Sequence, residues 1–265
     1  MLVNEQQVRS LGLPSHIQAT DTWKPLPHGQ VLDLIEVALN ESGLEIARDD
    51  SGSARKRFTL VDKGAKMYAT LPLTSRIDDE SRLMIGIANS YNKTLAARIG
   101  FGSEVFVCTN GAFFAEKVIG KKHTKNILAV LPAEIKAALG QTKTYVEQQR
   151  TFFSRLREVQ LTSKDANDLI VRAALDHETI TNGEIVHVAN EYRKPRHAEF
   201  EPRTAWSLFN AFTEVSKGTQ GTNGNLHSER TVRLSGMFAD EFAPDLQLLA
   251  TRKDAAAITD EPSDN

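Results

Sequence analysis

A chain of 265 residues with 40% hydrophobic and 25% charged residues has an ordinary globular composition, enough for one large core or one core with a helical annex. No apolar run approaches the ~20 residues of a membrane span, and the opening MLVNEQQVRSLGL lacks the apolar centre of a secretory signal, so a soluble cytoplasmic protein is expected. The one cysteine, Cys108, excludes an internal disulfide, and the net charge of −2 hides an uneven distribution of basic and acidic segments.

Residues 1–27 are punctuated by Pro14, Pro25 and Pro27 and read as an irregular segment. Val31 to Ile46 has a helical apolar face (Val31, Leu34, Ile35, Ala38, Leu39), with Gly43 where the helix should stop. Strands follow at Arg57 to Asp62 and Lys66 to Leu73 around a Lys63-Gly64-Ala65 turn. Arg82 to Ala88 and Leu95 to Phe101 flank a second turn, Asn89 to Thr94, and Glu104 to Cys108 reads as a fifth short strand. Beyond Ile127 the pattern becomes helical: 133–139 after Pro132, then Lys143 to Gln160, then Asp165 to Leu175 behind a Ser163 cap, then Thr204 to Lys217. The expected fold is therefore α+β, a helix packed on an antiparallel β-meander followed by a mainly helical C-terminal half. The expected divisions are an irregular segment 1–27, an α+β core 28–130, a helical part 131–217, a Gly-rich loop with a short element 218–238, and an acidic disordered tail 239–265.

Three basic clusters stand out. The first is Lys117, Lys121, Lys122, His123 and Lys125; the second is Arg193, Lys194 and Arg196 beside His197; the third is a ridge of Lys143, Arg150 and Arg157 at seven-residue spacing. Tyr91, Phe113, Phe114 and Tyr192 are the candidate stacking platforms for bases. Phosphate neutralisation by such cations supplies sequence-independent affinity for nucleic acid, provided the clusters share a surface. The competing reading is a solvated charged face with the phenylalanines in the core. Asp78, Asp79 and Glu80 form an acidic group suited to Mg²⁺, although a solvated turn is the plainer reading. Cys108 and His123 have no second ligand at zinc-like spacing, so neither a metal nor a cofactor is expected, and Cys108 reads as a buried hydrophobe. No phosphate-binding loop, dinucleotide fingerprint, GxSxG or HExxH occurs.

Four motifs come in order: Leu26-Pro27-His28, then IGIANSYNKTLAARIGFGSEVFVCTNGAF, then KKHTKN, then Thr204 to Glu214 (TAWSLFNAFTE). Together they resemble the phage- and plasmid-related family catalogued as domain of unknown function 932, over roughly residues 25–217. The resemblance implies a mobile-element protein in a prokaryotic host and brings no catalytic residue with it. The order of elements is also similar to the core layout of ring-forming single-strand annealing proteins, a likeness of topology alone. The leading expectation is a non-catalytic accessory protein that binds single-stranded nucleic acid in recombination, annealing or protection of mobile DNA, with a homo-oligomer as one arrangement and no membrane partner. The alternatives are a protein-binding inhibitor of a host restriction or defence factor and, third, a metal-dependent nuclease built on Asp78, Asp79 and Glu80.

Overall fold

The computed structural model describes residues 2–105, 117–201, 203–216 and 224–246, except the side chains of 117–119 and 224–229. An α+β architecture results, with an antiparallel sheet packed on helices in the first half and a mostly helical second half. The sheet has six strands in chain order, each antiparallel to its neighbours: β1 (Leu2–Val3), β2 (Arg57–Val61), β3 (Lys66–Arg76), β4 (Ser81–Ser90), β5 (Ala97–Val105) and β6 (Lys117–Lys121). Met67, Leu71, Leu83, Ile85, Ile99 and Phe101 fall on one face by two-residue alternation and make one core with α2 (His28–Glu41) and α3 (Ile127–Leu139).

Several expectations are corrected. The segment 1–27 is not wholly irregular: β1 is followed by α1 (Glu5–Ser10), held by an Asn4–Gln7 capping box and an internal Glu5–Arg9 pair, and docked on α2 through the Arg9 pair with Glu36. Glu104 and Val105 do not start a fifth strand; they finish β5, and the next strand is β6, whose alternation the lysines obscured. Cys108 lies outside the described residues. Pro132 lies inside α3, not at its start, because Ile127, Leu131 and Ile135 bury one continuous stripe on the sheet and outweigh the lost backbone bond.

The second half contains α4 (Thr142–Glu158), α5 (Ser163–Leu175), α6 (Ile185–Arg193), α7 (Ala205–Ser216) and α8 (Gly224–Phe242). The cap of α5 is Thr162, reciprocally bonded with Asp165, rather than Ser163. A further correction is α8, which occupies most of the span expected to hold a loop and short element. Leu234, Met237 and Phe238 bury against an aromatic core of Phe152, Phe209 and Phe212. Its last turn and the residues to Leu246 are tied down by Glu241–Arg172 and Asp245–Arg155 pairs, so the start of the expected tail is structured. The rest of that tail, and the Gly-rich stretch 217–223, lie outside the described residues. No described helix is long and apolar enough to cross a membrane.

Candidate functional site

Antiparallel connectivity places the β2–β3 turn and the β4–β5 turn at the same end of the sheet, where β6 also runs out into Lys122–Asn126. Asn92 Nδ2 donates to Asp62 Oδ2 at 2.9 Å and links the two turns. Asp62, Lys63 and Lys93 are left-handed there, with φ of 55°, 52° and 69°, a conformation that costs energy in non-glycine residues. α2 and α3 both start at this end and run side by side; Lys136 and Glu41, 3.4 Å apart, tie their far ends. Two helix N-termini, each the positive end of its dipole, therefore meet beside the turns.

Beneath this end lies a buried polar centre. His28 opens α2 fully buried, its Nε2–H donating to the Gly64 carbonyl at 2.9 Å while Nδ1 accepts from Asn89 Nδ2 at 2.9 Å. The same amide group donates to the Leu26 carbonyl at 3.0 Å, which fixes its orientation and hence the neutral His28 tautomer. Tyr91 packs its ring 5.1 Å from that of His28. His123 is 4% exposed, and neither ring nitrogen makes a hydrogen bond of ordinary geometry. Burial first, then the neighbouring His28, pull its pKa down to about 4; the nearby Lys24 backbone offsets only part of this.

Above this centre lies the surface. Trp23 and Thr124 form an antiparallel bridge, Lys24 N–H donates to the His123 carbonyl at 2.9 Å, and Lys125 N–H donates to the Thr22 carbonyl at 3.2 Å. The indole of Trp23 is partly exposed, and the Lys93 ammonium stands 5.0 Å from its centroid. Lys24, Lys93, Lys122 and Lys125 are all exposed, and none forms an ion pair among the described residues. The result is one aromatic plate with four cations on the three segments that frame it.

The predicted site residues separate. Lys122 and Lys125 belong to this surface; Lys121 is paired with Glu134 at 2.7 Å. His123, expected to be part of a cationic tip, is instead buried and uncharged at neutral pH because burial and the neighbouring His28 outweigh what the Lys24 backbone offsets. Tyr91 and Tyr192 are buried at 5% and 4%, so neither ring can serve as an open platform. Phe113, Phe114 and the Lys117 side chain lie outside the described residues. Lys143 and Arg150 line an open groove of about 690 Å³ beyond the C-terminal ends of α2 and α3. α3 has 13 residues, which puts that groove roughly 20 Å from the Trp23 surface. Arg157 is committed to Asp78 at 3.0 Å and Glu80 at 2.9 Å and lies 4.4 Å from the Trp206 ring. That pairing also occupies the acidic turn, and no described group of three or more His, Cys, Asp or Glu is arranged to hold a metal. Arg193 bonds Asn167, Arg196 bridges Glu191 and Glu214, and Lys194 is exposed, all in the helical half. The three predicted clusters thus do not merge into one groove. Trp23, Lys24 and Lys93 escaped sequence reasoning, because nothing local shows that residues 23, 93 and 124 adjoin.

Residues 16–236 match the family model described as Domain of unknown function (DUF932). The chain belongs to the DUF932 family. Searches of curated proteins and of solved structures return no match. DUF932 membership gives the chain its phage/plasmid-associated classification. Three of the four DUF932-like motifs converge on the end of the sheet just described: Leu26-Pro27-His28, Asn89 to Thr94, and Lys121 to Asn126. The fourth, Thr204 to Glu214, forms α7 in the aromatic core.

Proposed function

We propose that this DUF932 protein is a non-catalytic binder of single-stranded nucleic acid, acting in recombination, annealing or protection of phage or plasmid DNA. One observation carries the reading: a partly exposed Trp23 with Lys93 over its ring, flanked by Lys24, Lys122 and Lys125, none of them neutralised among the described residues. Stacking on an indole requires bases that are not paired inside a duplex, which favours single strands. Each stacked base is worth about 1–3 kcal/mol, and each neutralised phosphate releases counterions and makes binding salt-dependent. The paired helix N-termini add to the positive potential at the same place.

The test is fluorescence anisotropy of a labelled single-stranded oligonucleotide across a salt series. Wild type should bind at low salt, with Trp23→Ala weakening binding by about 1–3 kcal/mol. Lys24→Ala/Lys122→Ala/Lys125→Ala should flatten the salt slope by about 0.7 per lost phosphate contact. No binding by wild type at low salt would remove the reading.

A second reading, a protein-binding module directed at a host defence factor, draws on exposed apolar side chains of two packed helices: Val171 and Leu175 on α5, Val186 on α6. Capture of a host protein that survives nuclease treatment, and is lost on Leu175→Glu, would favour it.

A further inference from the structure

The helical half exposes a face that the Trp23 surface does not involve. α5 and α6 lie side by side, and Arg193, at the end of α6, donates to Asn167 Oδ1 near the start of α5 at 3.0 Å. That tie makes the two helices antiparallel and sets Val186, at the start of α6, level with Ala174 and Leu175. On α5, Lys164, Asp168, Val171 and Leu175 recur at helical spacing and form one exposed stripe. On α6 the exposed stripe is Val186, Asn190 and Arg193. Val171, Leu175 and Val186 are 43%, 62% and 62% exposed. They adjoin rather than lie scattered, which marks an interaction face.

The two ends of this face carry opposite charge. At the α5 N-terminus, Lys164 is exposed and forms no ion pair among the described residues. Beside it, Arg193 and Arg203 donate to the uncharged Asn167 and Ser163. The carboxylates at this end are engaged, Asp165 by Thr162 and Asp168 by Arg172 at 3.6 Å. At the α5 C-terminus, Asp176 is exposed and without an ion pair among the described residues. Glu178 is held by Arg233 at 3.0 Å, yet its side chain is 77% exposed. Asp165 and Arg172 serve the dipole of α5, whereas Lys164 in the first turn and Asp176 at the C-cap oppose it. Each of these two charges costs stability within its own helix and is offset by an opposite charge brought from outside.

We propose that the α5–α6 face is a docking surface for a second copy of this chain, joined across a two-fold axis near Val171. Such an axis is self-complementary: it lays α5 antiparallel on its counterpart, with apolar centre against apolar centre. Lys164 precedes Val171 by about the distance at which Asp176 and Glu178 follow it. The basic end of each copy therefore lies over the acidic end of the other. α5 has 13 residues, so the two helices present a face of about 20 Å by 20 Å. An interface of that size is small, and association in the micromolar range is expected. The reading of a host-protein partner draws on the same apolar residues, but the opposite charge of the two ends favours a second copy. The pairing is independent of nucleic-acid binding at Trp23.

The experiment is sedimentation equilibrium of the nuclease-treated full chain from about 1 to about 100 μM. Wild type should pass from monomer toward dimer across that range, and Leu175→Glu should remain monomeric with an unchanged circular dichroism spectrum. Lys164→Glu and Asp176→Lys should each weaken the dimer about tenfold, since each sets like charges together at both ends. Both substitutions agree with the dipole of α5, so neither threatens the fold. The double variant Lys164→Glu/Asp176→Lys should regain the wild-type dissociation constant, because both partners of each pair are exchanged. A wild type that stays monomeric throughout would overturn the proposal, whether or not a host protein then occupies the face. A dimer that survives Leu175→Glu would place the interface elsewhere, and a double variant as weak as the single ones would refute the two-fold pairing.

Discussion

His123 is buried with neither ring nitrogen in a hydrogen bond of ordinary geometry, and its pKa of about 4 turns that burial into a stability effect. In the unfolded chain the imidazole takes up a proton near pH 6.5, whereas the folded protein refuses it until about pH 4. Stability from this residue is therefore full above the unfolded value and falls as pH drops through that window, by at most ~3 kcal/mol. Burial shifts His28 in the same direction. Urea midpoints measured from neutral pH downward should fall, and His123→Gln should flatten part of that fall. The difference between the two profiles isolates His123 from carboxylates such as Glu5 and Asp165, whose lowered pKa values also cost stability in acid. Identical profiles would show that His123 titrates as an exposed histidine.

At the level of elements, α7 shows how a motif can be functional-looking and yet structural. Every residue from Ala205 to Glu214 is buried, so this helix is surrounded on all sides. Phe209 meets Phe238 edge-on at 5.1 Å and Phe152 edge-on at 6.2 Å, and stacks on Trp206 at 6.1 Å. Phe209→Ala should cost about 3–5 kcal/mol in chemical denaturation, whereas Val171→Ala on the exposed side of α5 should stay within about 0.5 kcal/mol. Equal effects would mean that α7 is not the centre of the helical half. The helix at Val31 and the hairpins around Gly64 and Asn92 were legible because their periodicity is local. α6 and α8 were not, since Ile185 to Arg193 is short and polar and Gly236 breaks the apolar rhythm of α8.

At the level of the whole molecule, two apolar cores meet where the β3–β4 turn and the end of β5 touch the helical half, through Ile77 and Val105. Arg150 Nε donates to the Ile77 carbonyl at 2.8 Å, and Arg157 joins Asp78 and Glu80 to the face of Trp206. Arg157 is thus a clamp between halves rather than a surface cation. Arg157→Ala should lower stability by about 1–2 kcal/mol, with Arg157→Lys recovering only part because an ammonium lacks the planar fork. Oligonucleotide affinity and salt slope should not change in either variant; a lower slope would return Arg157 to the binding surface.

The sequence by itself determined the antiparallel meander, its covering helix and the helical second half, because each is written in spacing within a few residues, while the family showed as a resemblance of four motifs in order. Leu26-Pro27-His28 and Lys122 to Lys125, singled out in the sequence, meet at one end of the sheet. Only the tertiary structure decided which charges remain available. Arg157 and Glu80 are separated by 77 positions, and Asn89 and His28 by 61. Whether a cation is neutralised or a histidine buried depends on partners brought from such distances, and no local pattern encodes them. The same reason buries Tyr91 and Tyr192 and leaves Trp23 partly exposed, its neighbours Lys93 and Thr124 coming from two other segments of the chain.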